Sequence, residues 1–549
     1  MKPEKKVEME SIPVATDVLV IGGGLGAMKA AAEIGAAGYS VLQIHQADEI
    51  GWGTETIQAP QLTQDQKKAF LGVKGAGKVE VKTGTSVCGA CGVAGAYQVS
   101  MKDQNGAVST RTFGAIVVAT GLGVEPLQDK YGIALSDRIV SLSQFEEMLA
   151  TAPDILKEKT IAILVGLAQN GNTVLMERVL TDVRKVQTVS GTTVYVYSGD
   201  LKVASEGLDR LYREGRDKGA IYIKLTAPPK ITSDGAKITH LDPVVRTHIE
   251  LTPDLVVVEE AITPDPANQD LAALLRIDPA PGGFLQRDNV HFFPVRCNRE
   301  GIFVVGGARE VKNLSWTAID ASNAVIEIRN LLGDGAKSVP VAKAMVNPNR
   351  CTICLTCYRC CPHGAIYWEG DKAVISTVAC QGCGICASEC PMDAIQLAGF
   401  QDEAMLTEVQ SAASAKDRPN LVAFCCQNSA FEACEMAAKF GMPLPAGLRT
   451  VKVPCAGKVD LEYILSAFAE GADGVLVMTC HTGNCQSDRG NTYAKWRVND
   501  VHRMLDDMGL PKERLRFVTL ASNMGPEFSN IVVDMAENIK ALKLTSKTV

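Results

Sequence analysis

Short apolar runs alternate with longer amphipathic stretches along most of the chain, which is the pattern of parallel α/β domains. The first run, residues 17–21 (DVLVI), precedes an alanine-rich segment that predicts a helix ending at Gly35. Further runs at 40–44, 115–121 (AIVVATG) and 301–308 (GIFVVGGA) predict further strands.

A second α/β unit is predicted over residues 159–288, and it opens with the strand KTIAILVG. The last part, residues 419–549, alternates the runs LVAFCC, RTVKVPC, GVLVMTC and RFVTLA with helical segments. This alternation predicts a parallel domain of about four strands. Residues 401–418, just before it, are polar and predict a helix or a linker.

The loop after the first strand reads GGGLGA at 22–27 and fits the fingerprint G-x-G-x-x-A. Between a strand and a helix, its first glycine makes the turn, its second lets a pyrophosphate approach, and the helix N-terminus faces the phosphate charge. His45 stands where an acid usually binds the ribose, and a direct contact from it to FAD is left open. The later runs resemble strands of flavoproteins with two dinucleotide domains. We expect FAD to be bound by Gly22, Gly24, Ala27, His45, Thr120, Gly121, Gly306 and Gly307.

The second α/β unit lacks this fingerprint, because its strand leads to Gly166 and then Gly171 rather than to G-x-G-x-x-G. We therefore predict that the phosphate cradle is missing and that no nicotinamide nucleotide binds there. Electrons must then reach the flavin by another route.

Residues 341–400 contain two copies of C-x2-C-x2-C-x3-C-P, at 351–362 and 380–391. Three thiolates of one loop hold three corners of a cubane, and the fourth cysteine of each run binds the other cluster. Zinc loops rarely show this triple spacing with a trailing proline. The predicted [4Fe–4S] ligands are Cys351, Cys354, Cys357 and Cys390 for one cluster, and Cys380, Cys383, Cys386 and Cys361 for the other. Cys360 has no counterpart in the second copy, so we predict that it is not a ligand.

Three predicted strands of the last domain end in a cysteine, at Cys426, Cys455 and Cys480, and Cys485 follows shortly after. Since ligands bind at this edge of open α/β sheets, the four thiolates are expected to converge. Such a set suits a [2Fe–2S] cluster, and zinc remains an alternative.

The remaining cysteines have weaker patterns. Cys88 and Cys91 lie in a glycine-rich hairpin, where no helix dipole lowers a thiol pKa, and we interpret them as an incidental pair. Cys297 lies near the flavin or is simply buried. Cys425 and Cys434 are interpreted as core or spare thiols, either of which could replace one of the four ligands, and His481 as an ordinary loop residue.

The composition limits the function further. Of 18 cysteines, 15 lie after residue 350, which indicates metal binding rather than disulfides. A net charge of −7 without a basic stripe argues against nucleic acid. No signal peptide and no run of about 18 apolar residues is found, so we expect no direct membrane span. The expected location is the cytoplasm, where a partner subunit could hold the chain at the inner face of the membrane.

The order of flavin domain, two-cluster ferredoxin and four-cysteine α/β domain resembles the A-subunit of heterodisulfide reductase fused to the delta subunit of methyl-viologen-reducing hydrogenase. The segments that carry the resemblance are VLVIGGGLGAMKAA, GAIVVATG, GIFVVGGA, the double cysteine motif, and VPCAGKVDLEYILSAFAEGADGVLVMTCHTGNC. The chain is also similar to the B-subunit of the quinone-interacting membrane-bound oxidoreductase complex. In the delta family the last segment carries [2Fe–2S] ligands, which favours Cys426, Cys455, Cys480 and Cys485.

The resemblance implies a thioredoxin-reductase-like FAD domain (1–158 and 289–340), an inserted α/β unit (159–288), a ferredoxin domain (341–400), a linker (401–418) and a parallel α/β [2Fe–2S] domain (419–549). It further implies an electron-transfer subunit of a multisubunit anaerobic oxidoreductase. Its partners would be heterodisulfide-reductase-like, hydrogenase- or dehydrogenase-like, or quinone-linked membrane subunits, with a homodimer within the complex left open. Two alternatives are a self-contained FAD-dependent reductase of a small substrate and a cluster scaffold with an empty flavin fold. Catalytic residues are not identified.

Overall fold

The computed structural model of the protein describes residues 8–48, 78–242, 244–287, 289, 294–340 and 343–542. The predicted strand at 17–21 is a four-residue strand with every side chain buried, which is the pattern of a central parallel strand. The elements of the first part are β1 (Met9–Pro13), β2 (Val18–Ile21), α1 (Leu25–Ala36), β3 (Val41–Ile44), β4 (Val79–Lys82), β5 (Ser86–Val93), β6 (Ala96–Lys102), β7 (Val108–Phe113), β8 (Ala115–Val118) and β9 (Leu122–Pro126).

The second unit forms its own parallel sheet. Its elements are β10 (Ile139–Ser141), α2 (Leu142–Thr151), β11 (Thr160–Val165), α3 (Thr173–Val186), β12 (Thr193–Ser198), α4 (Leu208–Asp217), β13 (Ile221–Lys224), β14 (Lys230–Ile231), β15 (Ile238–Leu241), β16 (His248–Leu251), β17 (Leu255–Val258), β18 (Glu260–Pro264) and α5 (Ala267–Leu275). The five parallel strands have the order β10-β17-β11-β12-β13, and β14, β15 and β16 form a small antiparallel sheet. Strand β18 pairs with β9, which ties the two units together.

The return segment contains β19 (Ile302–Val304), α6 (Leu314–Leu332) and β20 (Ala336–Pro340). Strand β19 pairs in parallel with β8 and completes a five-stranded sheet in the order β19-β8-β2-β3-β4. The prediction that one α/β unit is inserted into another is confirmed. An antiparallel sheet of β5, β6 and β7 packs into the same hydrophobic core.

The ferredoxin domain has two similar halves. Its elements are β21 (Ala344–Val346), α7 (Thr356–Cys360), β22 (Ile366–Glu369), β23 (Lys372–Ile375), α8 (Ile385–Ser388) and β24 (Ile395–Leu397). Strands β21 and β24 pair, as do β22 and β23, and both pairs are antiparallel. In each half a short helix follows the cysteine loop.

The last part contains α9 (Asp402–Ala413), β25 (Leu421–Cys426), α10 (Ala430–Lys439), β26 (Leu448–Val453), α11 (Leu461–Ala469), β27 (Gly474–Thr479), α12 (Gly490–Asp507), β28 (Leu515–Thr519) and α13 (Gly525–Ala541). The sheet has four parallel strands, as the sequence predicts, and their order is β26-β25-β27-β28. Helix α9 lies in the segment predicted as a polar helix or linker, and it buries Met405 and Val409 in this domain's core. None of the described helices is long and apolar enough to cross a membrane.

All three parallel sheets have a topological switch point, where the chain leaves a central strand to one side and later returns on the other. The central strands are β2, β11 and β25. Ligands of open α/β sheets bind beyond the carboxyl end of such a strand. The fold therefore has three places at which a ligand site is expected, and the three differ in the groups that they present.

Candidate functional site

At the first switch point, beyond β2, β3 and β8, lies a cavity of about 660 Å³. Gly22, Gly24, His45, Thr120 and Gly121 all line it, so the structure brings these predicted FAD ligands together. Gly22 has φ +139°, and a Cβ there would lie 2.1 Å from the carbonyl oxygen of Ala119. Only glycine fits this turn, which opens the backbone toward the cavity as a pyrophosphate cradle requires.

His45 follows β3 and forms one wall of this cavity. Its ring packs so closely on the turn that a Cβ at Gly23 would lie 2.5 Å from it. Burial lowers the pKa of His45, and Asp265 opposes this effect, so the imidazole is neutral near pH 7. A neutral imidazole has one donor and one acceptor nitrogen, so it can form a hydrogen bond with a ribose hydroxyl. The acid that usually stands at this position could only accept one.

The other three predicted residues lie behind the cavity. Ala27 is fully buried beneath Gly22, and a Cβ added to Gly22 would lie 3.2 Å from the Ala27 Cβ. A Cβ at Gly307 would lie 2.9 Å from Leu122, and the Gly306 amide donates to Asp320 at 3.1 Å. These residues shape the backbone around the cavity. The opposite wall comes from α5, including Asp270, which the sequence analysis missed because the helix belongs to the inserted unit.

The ferredoxin domain contains two apolar cavities, and each is lined by four cysteines from both copies of the motif. One is lined by Cys351, Cys354, Cys357 and Cys390, and the other by Cys361, Cys380, Cys383 and Cys386. These are the two predicted ligand sets, which we call the outer cluster site and the inner cluster site. The Cys360 thiol turns away and donates to the carbonyl oxygen of Cys357 at 3.4 Å.

At the third switch point, four buried thiols meet beyond β25, β26 and β27. The Sγ atoms of Cys426 and Cys480 are 3.8 Å apart. Cys455 lies within hydrogen-bonding distance of both Cys426 and Cys485, and Cys480 contacts Cys485 as well. We call this group the four-thiol site, and its members are the four predicted ligands.

The thiols of the four-thiol site perturb one another's ionisation. Contacts with Cys426 and Cys485, together with burial, raise the pKa of the Cys455 thiol well above its ordinary value. Hydrogen bonds from Cys426 and Cys485 lower the pKa of the Cys480 thiol well below its ordinary value. Ionisation of all four buried thiols would require a compensating cation. Zinc and an iron–sulfur cluster both supply one.

Two other cysteines of this domain lie elsewhere. Cys425 and Cys434 belong to the core on the opposite face of the sheet from Cys426. The His481 ring contacts Thr519 at 3.1 Å and the Met524 sulfur at 3.4 Å.

The cysteines of the first domain also lie outside these groups. Cys88 and Cys91 are exposed on β5. Cys297 is buried, and its thiol donates to the carbonyl oxygens of Arg299 and Ile302. Burial raises the pKa of Cys297 to about 12.

The inner cluster site and the four-thiol site are neighbours. Cys383 packs against the hydrophobic core that contains Cys485. Beside it, a Cβ at Gly457 would lie 2.5 Å from Ile385. Lys458, only 1% exposed, donates to Asp402 at 2.5 Å and also contacts the Tyr463 hydroxyl. Across the domain boundary, Gln396 of the ferredoxin domain donates to Asp402 at 2.5 Å, and Ser388 donates to the carbonyl oxygen of Lys458 at 2.8 Å. These hydrogen bonds join the two domains.

Family profiles match two parts of the chain. That of the 4Fe-4S dicluster domain matches residues 343–404, and that of the methyl-viologen-reducing hydrogenase delta subunit matches residues 421–543. The vhc iron-sulfur subunit of the F420-non-reducing hydrogenase of Methanococcus voltae is 36% identical over 124 residues, which are 23% of this chain and 86% of that protein. Through its C-terminal domain, the chain belongs to the delta-subunit family. The predicted resemblance is confirmed.

A second group of relatives is similar to most of the chain. The A-subunit of the ferredoxin:CoB-CoM heterodisulfide reductase of Methanosarcina mazei is 26% identical over 479 residues, which cover 83% of this chain. The chain spans only 60% of that relative's length. The thioredoxin reductase of T. acidophilum is similar over 57% of this chain and 98% of its own, with 14% identity and a TM-score of 0.39.

Proposed function

We propose that this chain is the flavin and iron–sulfur electron-transfer subunit of a multisubunit oxidoreductase. It would hold FAD in the 660 Å³ cavity, one [4Fe–4S] cluster in each ferredoxin site, and a [2Fe–2S] cluster in the four-thiol site. The relatives that support this proposal are named as subunits of heterodisulfide reductase and of hydrogenase. Activity would require the complex.

The observation that carries the proposal is the central position of the inner cluster site. On one side Cys383 packs against the core of the delta-subunit domain. On the other, the segment around Cys361 is bound to the flavin domain, because Asn298 donates to the Pro362 carbonyl oxygen at 3.1 Å. Arg276, at the end of α5, donates to the carbonyl oxygen of Tyr358 at 3.0 Å. Helix α5 is also a wall of the flavin cavity, so the sites are contiguous.

Each group of residues would have its own role in cofactor binding. The turn at Gly22 and the N-terminus of α1 would bind the pyrophosphate, and His45 would face the ribose. The thiolates would hold iron and bury it from water, with Cys354 alone exposed at the outer cluster site. Bound FAD would exchange electrons in pairs with one partner and singly with the clusters. The hydrogen bonds from Gln396 to Asp402 and from Ser388 to Lys458 would keep the two cluster domains in a fixed arrangement.

The proposed partners follow from the relatives. A hydrogenase- or dehydrogenase-like subunit would exchange electrons at the delta-subunit domain. A heterodisulfide-reductase-like or quinone-linked membrane subunit would exchange them at the flavin end. Because the Cys354 thiol is exposed, the outer cluster site would be more accessible to a partner than the inner cluster site.

The test is the cofactor content of the full chain, purified anaerobically. We expect about ten irons and one FAD per chain, with the spectrum of a [2Fe–2S] cluster beside those of two [4Fe–4S] clusters. About eight irons together with one zinc would contradict the third cluster. Absence of flavin after gentle purification would favour a cluster scaffold. Turnover of a small substrate by the isolated chain would favour a self-contained reductase.

A further inference from the structure

The second switch point, beyond β11, is occupied by a side chain of the protein itself. The loop after β11 presents three successive backbone amides toward the end of β17. The amides of Gly166, Leu167 and Ala168 all donate to the carboxylate of Glu259, at 2.7, 3.0 and 2.8 Å. The Tyr131 hydroxyl donates to the same carboxylate at 2.5 Å. Three backbone amides thus converge on one point after β11, and the Glu259 carboxylate fills the cradle that they form.

Glu259 is held in this place by its position in the chain and by burial. It follows β17 directly, and it is 1% exposed. Two carboxylate oxygens that accept four donors reproduce the way a strand–turn–helix loop binds a phosphate group. A buried carboxylate without these donors would be costly, so the loop and Glu259 stabilise each other.

The segment after β12 also lies close to this loop. In a dinucleotide fold the adenosine lies between the first turn and the end of the second strand. Here the amide of Gly199, after β12, donates to the carbonyl oxygen of Val165 at 3.2 Å. A Cβ at Gly199 would lie only 2.0 Å from the carbonyl oxygen of Gly166. The side chain of Gln169 fixes the loop further, since it donates to the Glu260 carbonyl oxygen at 2.9 Å.

We propose that Glu259 is an internal substitute for a dinucleotide pyrophosphate, and that it excludes NADH and NADPH from the second unit. A second anion cannot share the cradle, because two buried negative charges in contact repel strongly. Resting on the proposed function, this makes Glu259 the residue that determines donor specificity. The flavin would exchange electrons only with the clusters and with protein partners.

The first experiment titrates the full, anaerobically purified wild-type chain with NADH and NADPH. We expect no bleaching of the flavin absorbance by either nucleotide, and complete bleaching by dithionite as a control. Calorimetry with the same nucleotides should show no binding. Stoichiometric binding or flavin reduction by either nucleotide would overturn the proposal. If the chain held no flavin, the proposed function would fail while the calorimetry still tested Glu259.

The second experiment empties the cradle with Glu259→Ala. We expect a lower melting temperature than for the wild type, restored in part by millimolar inorganic pyrophosphate, which leaves the wild type unchanged. The control is Glu260→Ala, which removes the neighbouring buried carboxylate that pairs with Arg178 at 2.9 Å. It should destabilise the chain without any response to pyrophosphate. Equal responses of both variants, or none from Glu259→Ala, would overturn the proposal. Should Glu259→Ala fail to fold, Glu259→Ser also empties the cradle and is judged by the same response.

Discussion

Arg497 of the delta-subunit domain forms an ion pair with Glu389 of the ferredoxin domain, the residue just before the outer-cluster ligand Cys390. The same guanidinium donates to the carbonyl oxygens of Gly457 and Val459, both at 2.8 Å. Arg497 thus joins the loop after Cys455 to the ferredoxin motif. Its five donors in a rigid fork suit such a junction better than a lysine would.

Replacing this arginine should loosen the junction. Arg497→Ala leaves a partly buried carboxylate and two carbonyl oxygens without their donor, and we expect a loss of about 2 kcal/mol in the free energy of unfolding. Denaturant unfolding of the apo chain measures it. The control is Arg503→Ala on the same helix, where the side chain is 78% exposed and, among the residues that the structure describes, forms an ion pair with Asp500. That change should cost less than about 0.5 kcal/mol. Equal losses would show that Arg497 is not a junction residue.

The four-thiol site can be separated from the spare cysteines of its domain. Cys455→Ser removes a buried thiol that contacts two others, and the iron content should fall by about two per chain, with loss of the [2Fe–2S] spectrum. Cys434→Ser, on the opposite face of the sheet, should leave both unchanged. Iron analysis and electron paramagnetic resonance of the reduced proteins measure the outcome. Loss of zinc instead of iron would identify the metal as zinc.

Replacement of the adjacent residues Cys360 and Cys361 should have different effects on the [4Fe–4S] clusters. Cys361→Ser removes a thiol that lines the inner cluster site, so one [4Fe–4S] signal should disappear. Cys360→Ser removes a thiol that donates to the carbonyl oxygen of Cys357 and should leave both signals intact. Redox titration followed by electron paramagnetic resonance compares them. If Cys360→Ser lost a cluster, the assignment of ligands would be wrong.

Flavin binding should depend on the turn at Gly22. Gly22→Ala places a methyl group 2.1 Å from the Ala119 carbonyl oxygen in a conformation that disfavours alanine, so the turn must move. We expect the Kd for FAD, measured by titration of the flavin-free protein, to rise at least tenfold, which corresponds to about 1.4 kcal/mol of binding free energy. Gly38→Ala is the control, since Gly38 also has positive φ but nothing lies within 4 Å of its Cβ position. The Gly38→Ala substitution should lower the free energy of unfolding by about 1 kcal/mol, and the variant should still bind FAD.

A buried acid in the second unit should make stability depend on pH. Burial, followed by the charge of Glu146, raises the pKa of Asp182 to about 8, although Lys185 lies 3.5 Å away. The folded chain therefore keeps a proton that the unfolded chain releases near pH 4. The free energy of unfolding should fall as pH rises from about 4 to 8, by at most about 1.4 kcal/mol per pH unit from this group. Asp182→Asn should flatten the dependence and be the more stable protein at pH 8. A parallel pH profile in both proteins would contradict the assignment.

Local sequence patterns are sufficient to predict the cluster ligands, the four-thiol site and the glycine turn. The spacing of the double cysteine motif predicts the two ligand sets, and the structure places those same sets around two cavities. Strand ends predict the meeting of Cys426, Cys455 and Cys480, because parallel strands end at one edge of a sheet. The glycine turn at Gly22 is likewise a local requirement, since one backbone conformation decides it.

Tertiary structure alone decided what fills the second switch point and which sites are neighbours. The sequence has no dinucleotide fingerprint after β11, and it gives no sign that three backbone amides there bind a carboxylate more than 90 residues away. Backbone amides have no sequence signature, and contact between Glu259 and Gly166 depends on how β17 and β11 pair. The pairing of Arg497 with Glu389 spans 108 residues in the same way. Such contacts arise from packing between units, which local patterns of hydrophobic and polar residues do not specify.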